Sequence, residues 1–120
     1  MTEQKTTEQQ ISYQDFQKID IRVGTVVSVD AFPEARKAAY KLVIDFGELL
    51  GRKKSSAQVT EHYPEKEVLV GKQVLCVVNF APKQIGPFVS EVLTLGVADE
   101  TGKVILVEAG KKAPNGQRLF

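Results

Sequence analysis

The amino-acid sequence predicts an all-β fold, a small and partly open barrel of about five strands with short helices. The chain has 120 residues, which is enough for one compact core but too few for two independent domains. Short runs of alternating apolar and polar residues recur along it, the period of strands with one buried face. Glycine and proline lie between these runs, where they favour turns. A small sandwich of two sheets is compatible with the same pattern.

The first predicted strand is the longest and extends from Ile19 to Asp30. One of its faces carries Ile19, Ile21, Val23, Thr25, Val27 and Val29. Gly24 lies inside this strand, where it has no side chain to pack. We therefore expect a bulge or a sharp bend at Gly24, because such a feature lets one strand contribute to both sides of a small barrel.

Further strands follow at short intervals. They are predicted at Tyr40–Phe46, Lys53–Val59, Lys72–Asn79, Glu91–Ala98 and Lys103–Glu108. Gly47 and Gly51 bracket a turn, residues 61–68 form a short helix or turn, and residues 81–89 form a loop. The sequence Asp99-Glu100-Thr101-Gly102 is typical of a turn, so the last two strands are expected to form a hairpin.

The two ends of the chain are predicted to differ. Residues 1–11 are polar apart from their first and last positions and show no apolar period, so they are expected to form a disordered N-terminal tail. Residues 12–120 are expected to form the folded domain. Ser12 and Asp15 have the spacing of a helix N-cap followed by an acid three residues later, which predicts a short helix at the start of this domain.

Catalytic function is not expected from this sequence. His62 is the only histidine and Cys76 the only cysteine, so neither a histidine-based metal cluster nor a zinc-finger spacing can be built. The sequence contains no glycine-rich phosphate loop and no nucleophile elbow. We therefore predict a non-enzymatic protein with no catalytic residue, no metal and no cofactor. Cys76 lies within an apolar strand and is expected in the core.

Membrane insertion is not expected either. No stretch approaches the roughly 20 apolar residues that a membrane-spanning helix needs. The chain does not open with a basic region followed by an apolar one, the pattern of a secretory signal. We therefore expect a cytoplasmic protein.

Charge is distributed unevenly along the chain, although the formal net charge is only +1. Residues 36–54 contain six basic and two acidic side chains. Arg36 and Lys37 lie in the predicted loop between the first two strands, and the strand that follows the next turn begins with Lys53 and Lys54. A cluster of this kind neutralises phosphates in nucleic-acid-binding proteins. A merely solvated basic face is the alternative.

Short polar side chains follow this basic segment. Ser55, Ser56 and Gln58 lie on a weakly hydrophobic strand, and Asn79 and Lys83 flank the next predicted loop. Their hydrogen-bonding groups suit the recognition of a phosphate backbone or a base edge. The alternative is that the serines only occupy an exposed strand face.

The ordered set of motifs resembles the CsaA family. The matching residues are Phe16, Asp20-Ile21-Arg22-Val23-Gly24, Pro33-Glu34-Ala35-Arg36-Lys37, Tyr40-Lys41-Leu42, Ile44-Asp45-Phe46-Gly47, Ser55-Ser56-Ala57-Gln58, Tyr63, Asn79-Phe80, Pro82-Lys83, Ser90-Glu91-Val92-Leu93 and Pro114-Asn115-Gly116. The resemblance covers roughly residues 13–120. CsaA is in turn similar to the tRNA-binding domain that is appended to some methionyl-tRNA synthetases.

The resemblance implies an oligonucleotide/oligosaccharide-binding (OB) barrel, a homodimer and a chaperone role in protein export. The expected partners are an unfolded or presecretory polypeptide, the export machinery and tRNA. Together with the polar groups above, the family pattern assigns Ser90 to the binding site. Two alternative functions remain open, a structure-specific tRNA-binding protein and a general binder of single-stranded nucleic acid.

The resemblance and the apolar ends of the chain together predict how the dimer forms. Tyr13 and Phe16 lie near the start of the predicted domain, and Leu119 and Phe120 lie at its end. A five-stranded barrel has little interior left to receive them, whereas a symmetric partner could bury them. We therefore expect the N- and C-terminal extensions to form the dimer interface, with intramolecular packing of the two ends as the alternative.

Overall fold

The computed structural model describes residues 9–120. The predicted N-terminal tail of residues 1–11 lies mostly outside this range, and residues 9–11 are exposed and belong to no helix or strand. In the described part of the chain, no helix is long and apolar enough to cross a membrane.

Five antiparallel strands form one sheet that curls into a nearly closed barrel, which confirms the predicted fold class. Including those outside this sheet, the strands of the described residues are β1 (Ile21–Ala31), β2 (Tyr40–Asp45), β3 (Arg52–Ala57), β4 (Gln73–Val77), β5 (Lys83–Ile85), β6 (Phe88–Ser90), β7 (Leu93–Thr94), β8 (Gly96–Ala98) and β9 (Val104–Leu106). The barrel sheet has the order β3-β2-β1-β4-β7, whereas β5–β6 and β8–β9 form two separate hairpins.

Strand β1 joins the two halves of the barrel because it pairs with different neighbours along its length. Residues 21–25 pair with β4 and residues 25–31 pair with β2. The register with β2 shifts between Val26 and Ser28, so the bulge lies at Val27 and not at Gly24 as the sequence suggested. Because an extra residue reverses the alternation of side chains, the core receives Val26 before the bulge and Val29 after it, which are three positions apart.

Gly24 has a different role from the predicted bulge. A Cβ atom at this position would lie 2.6 Å from Cγ2 of Ile44 and 2.8 Å from Cδ1 of Phe46. Glycine therefore lets the Phe46 ring pack directly against the backbone of β1. Gly24 is thus a special position in β1, as the sequence indicates, but the feature that requires glycine is close packing and not a bulge.

The barrel interior is filled by apolar side chains from strands β1 to β4 of the sheet and from the 3₁₀ helix Lys66–Leu69. Those with no more than 1% of their surface exposed include Val26, Leu42, Ile44, Phe46, Leu69, Val74 and Cys76. A fully buried side chain of this size contributes about 1.5–3 kcal/mol. Cys76 is fully buried, which confirms its predicted place in the core. This burial raises the pKa of its thiol to about 12.

The described residues include two short α-helices, α1 (Tyr13–Gln17) and α2 (Gly47–Leu50). The start of α1 is a capping box, as the sequence predicts. The Ser12 hydroxyl accepts a hydrogen bond from the backbone N–H of Asp15, and the Asp15 carboxylate accepts one from the N–H of Ser12.

The C-terminal segment, residues 113–120, packs against the edge of β1 that β2 leaves free. The N–H of Gly116 donates to the carbonyl of Val23, and the N–H of Leu119 donates to the carbonyl of Ile21. The segment therefore behaves as an additional strand of the barrel. Phe120 is nevertheless fully exposed, so this intramolecular packing does not bury the last residue.

The sequence predicted one of the two separate hairpins but not the other. Hairpin β8–β9 is the one predicted from the Asp99–Gly102 turn. The Asp99 carboxylate accepts from the backbone N–H groups of Thr101 and Lys103, and these bonds, with the one to His62, hold its pKa well below its usual range. Hairpin β5–β6 lies where the sequence predicted a loop at residues 81–89, so that prediction was wrong.

Candidate functional site

A cation face covers the outside of β2 and β3. We define it as Arg36 and Lys37, both exposed on the β1–β2 loop, with Lys41 on β2 and Lys54 on β3. Lys41 pairs in register with Ser56, two residues after Lys54, so the two lysines occupy the same outer face. This face and its flanking loops are the surface through which small barrels of this type bind oligonucleotides.

Two phenylalanines hold the loop of the cation face against hairpin β5–β6. The rings of Phe32 and Phe88 meet edge-on with their centroids 5.3 Å apart. The Lys41 ammonium lies 5.6 Å from the centre of the Phe32 ring, and the Lys54 ammonium lies 5.5 Å from that of Phe88. Because the lysines already cover these rings, the rings are not free to stack on bases.

The basic side chains of residues 36–54 have no acidic partner in the described part of the chain. Within residues 9–120, every ion pair shorter than 4.0 Å involves a cation from elsewhere in the chain or His62. Six unpaired cations in one short segment are what a polyanion-binding surface requires. The role of these cations in binding phosphates stays a prediction, and the structure changes one member of the predicted group.

Lys53 does not belong to the cation face. Successive side chains of a strand point to opposite faces. Lys53 therefore shares its face with Ser55 and Ala57, both buried, whereas Lys54 shares the outer face with Ser56. Lys41 takes the place of Lys53 in the predicted group of four.

An apolar groove of about 790 Å³ lies beside the cation face, between β3 and the two hairpins. Its larger apolar side chains include Phe80, Ile85, Val92, Leu93, Val104 and Leu106. Phe80 and Leu93 are 57% and 47% exposed and lie together in this groove, and exposed apolar side chains that cluster in one groove mark sites that bind a ligand or partner. All three residues of β8 also line the groove, and in the described part of the chain β8 has a strand partner on one side only.

Four of the predicted polar residues lie in this groove. Ser56, Gln58, Lys83 and Ser90 line it, and Gln58 and Lys83 are exposed. The structure thus brings together Ser56 of β3 and Gln58 just after it with two residues of hairpin β5–β6, which are more than 20 positions away in the sequence.

Ser55 is not available for recognition, because it is fully buried. Its hydroxyl lies 2.7 Å from the Thr94 hydroxyl and donates to the carbonyl of Val92 at 3.2 Å. These bonds join β3 to β7, the two edge strands of the barrel sheet. Ser55 therefore closes the barrel and is structural.

Ser90 has a structural contact as well as a place in the groove. Its hydroxyl accepts a hydrogen bond from the backbone N–H of Ser56 at 3.1 Å. The next residue, Glu91, bonds to both the carbonyl and the N–H of Lys54. Residues 90 and 91 therefore cover the outer edge of β3, which is otherwise without a strand partner.

Asn79 lies outside the groove and links β4 to the start of β1. Its side-chain oxygen accepts from the backbone N–H of Asp20 at 3.0 Å, and its side-chain nitrogen donates to the carbonyl of Lys18 at 2.8 Å. This geometry makes Asn79 an anchor for α1. Asn79 does not line the groove, although the next residue, Phe80, does.

Sequence reasoning missed the apolar residues of the site. Phe80 and Leu93 line the groove and Phe88 supports the cation face. A usable signal was present, since Gly86-Pro87 separates two short β-prone runs in the way that a tight hairpin turn does. Reading residues 81–89 as a loop hid this signal.

His62 is a surface residue. Its Nε2 lies 2.7 Å from the Asp99 carboxylate. Together with the bond from the N–H of Leu106 to the Tyr63 hydroxyl, this contact fixes hairpin β8–β9 against the segment after β3. No group of three potential metal ligands comes together among residues 9–120.

Comparisons with known proteins agree on the fold and the family. Residues 21–118 match the family described as "Putative tRNA binding domain". The chain is similar to the methionine–tRNA ligase of Chlorobium luteolum, at 39% identity over 91% of this chain but only 15% of the ligase. Thus the chain spans less than a sixth of the length of such a relative.

Two solved structures match over the full length of their chains. The crystal structure of chaperone CsaA from Bacillus anthracis has a TM-score of 0.86 and 46% identity, and the alignment covers 93% of this chain and 100% of that one. The CsaA chaperone protein from Picrophilus torridus has a TM-score of 0.85 and 48% identity, with coverage of 92% and 100%.

Proposed function

The chain belongs to the tRNA-binding domain family, and we propose that it acts as a non-catalytic, homodimeric chaperone of the CsaA type in the cytoplasm. Its clients would be unfolded or presecretory polypeptides, delivered to the export machinery. The observation that carries this proposal is the apolar groove, which is open and lined by large apolar side chains. The likeness to two structures described as CsaA chaperones supports it.

The proposed occupant of the groove is an extended segment of an unfolded polypeptide. Such a segment offers apolar side chains for Phe80 and Leu93 and backbone hydrogen bonds for the free side of β8. Addition of a strand to a free edge gives affinity that depends little on sequence. A chaperone with many clients needs this property.

The test is binding of an unstructured, uncharged peptide rich in leucine and valine, measured by calorimetry. Leu93→Gln should weaken binding roughly tenfold, because the lost apolar burial is worth about 1–2 kcal/mol. Ile105→Gln is the matched control, since Ile105 is an exposed residue of the neighbouring hairpin that does not line the groove. Equal affinities of the wild type and Leu93→Gln would contradict the proposal.

A second candidate function, binding of tRNA, is favoured by a separate observation. The cation face carries four cations that have no acidic partner among residues 9–120. Because the rings beneath two of them are covered, contacts to the phosphate backbone should dominate over base stacking. Titration of labelled tRNA at two salt concentrations tests this, and binding that does not weaken with salt would contradict it.

A further inference from the structure

Hairpin β5–β6 belongs to both candidate surfaces at once. Ile85 of this hairpin lines the groove, and its direct cross-strand partner is Phe88. Phe88 packs edge-on against Phe32 of the β1–β2 loop and lies beneath the Lys54 ammonium. The position of one wall of the groove therefore depends on contacts within the cation face.

Binding of a polyanion would weaken one of these contacts. The attraction between Lys54 and the Phe88 ring depends on the positive charge of the ammonium group. A phosphate that pairs with this ammonium neutralises its charge and competes for its position. A cation over a ring at an exposed site favours the contact by roughly two- to fivefold, and this sets the size of the effect.

We infer that a phosphodiester backbone bound on the cation face weakens polypeptide binding in the groove, and that hairpin β5–β6 transmits the effect. This inference rests on the proposed function. Without polyanion, Lys54 holds Phe88 against Phe32 and keeps Ile85 in the groove wall. With polyanion, the hairpin loses one of the contacts that fix it and the wall becomes less ordered.

Linkage makes the effect reciprocal. If the polyanion weakens polypeptide binding threefold, the polypeptide must weaken polyanion binding by the same factor. An unfolded client would therefore promote release of RNA from the protein, and RNA would promote release of the client. Both measurements are available on the same full-length chain.

The test uses a dansyl-labelled, uncharged peptide rich in leucine and valine, with a single-stranded oligoribonucleotide as the polyanion. The peptide Kd is measured alone and with saturating oligoribonucleotide, and inorganic phosphate at equal ionic strength is the control for salt. The expected result is a roughly threefold increase in Kd with the oligoribonucleotide only. The converse titration should give the same factor.

Two variants identify the hairpin as the coupling element. Phe88→Leu keeps an apolar side chain but removes the ring, so the threefold effect should disappear while the melting temperature shows that the fold is intact. Lys53→Met is the matched control, because Lys53 lies on the other face of β3, and it should keep the effect.

Each contrary result would overturn a specific part of the inference. A peptide Kd that is unchanged by bound oligoribonucleotide overturns the coupling alone. The same effect in Phe88→Leu as in the wild type overturns the role of the hairpin. A wild-type protein that does not bind the peptide even without oligoribonucleotide overturns the proposed chaperone function and this inference with it. Lack of oligoribonucleotide binding at any salt concentration overturns the cation face and therefore the inference.

Discussion

The salt dependence of RNA binding measures the cation face directly. The double substitution of Lys41→Met and Lys54→Met removes two of its four cations but keeps two apolar stems of similar length. Both ammonium groups are free of acidic partners within residues 9–120, so no carboxylate is left unpaired by the change. The barrel interior is untouched, because both side chains lie on the outer face.

The magnitude follows from the number of contacts. Each phosphate contact to a single strand contributes about 0.7 to the slope of log K against log salt concentration. Four contacts predict a slope of about −2.8, and the double variant should reduce its magnitude by about 1.4. Fluorescence anisotropy of a labelled oligoribonucleotide over a series of salt concentrations gives both slopes.

Two single substitutions are matched controls. Lys53→Met removes a cation that shares the buried face of β3, and Lys66→Met removes one that pairs with Glu67 at 3.0 Å. Neither should change the slope by as much as one contact. If the double variant kept the wild-type slope, or if Lys53→Met alone reproduced its effect, the assignment of the cation face would be wrong.

Three further results are expected. Gly24→Ala should destabilise the fold by about 1–3 kcal/mol in chemical denaturation, because its methyl group would overlap Phe46, and an unchanged midpoint would show that the core can yield. The free energy of unfolding should fall as the pH rises from about 9 towards 12, since the Cys76 pKa is raised to about 12 by folding and the unfolded chain ionises first; Cys76→Val should remove this part of the decline. Light scattering at micromolar concentration should give the mass of a dimer, and Tyr13→Ser with Phe120→Ser should give a monomer, whereas a wild-type monomer would exclude the dimer.

The strands of the barrel could be predicted because their signal is local. In β2, Tyr40, Leu42 and Ile44 alternate with Lys41 and Val43, and the first three are buried as the period requires. The capping box at the start of α1 is also a local pattern of two side chains. Elements of this kind are determined by residues a few positions apart, so one sequence is sufficient to find them.

The bulge in β1 could not be placed in the same way. Glycine marks several different features, among them bulges and close approaches between backbone and side chain. Which one applies at Gly24 depends on the Phe46 ring, which comes from a different part of the chain. The bulge itself lies at Val27, a residue whose type gives no indication of it.

The roles of the polar residues of the site could not be predicted from local sequence either. From sequence, Ser55, Gln58, Asn79, Lys83 and Ser90 are equivalent as hydrogen-bonding groups near a basic segment. A side chain is available to a ligand only if its polar atoms are not already engaged, and this is decided by distant partners.

The structure therefore ranks residues that the sequence could not separate. Ser55 and Asn79 are engaged in bonds that close the barrel and anchor α1, so their substitution should lower the melting temperature before it affects a ligand. Ser90 covers the edge of β3 and would give a mixed result. Gln58 and Lys83 are exposed in the groove, so their substitution should affect ligand binding with little change in stability. A test of polar recognition in this groove should therefore begin with these two residues.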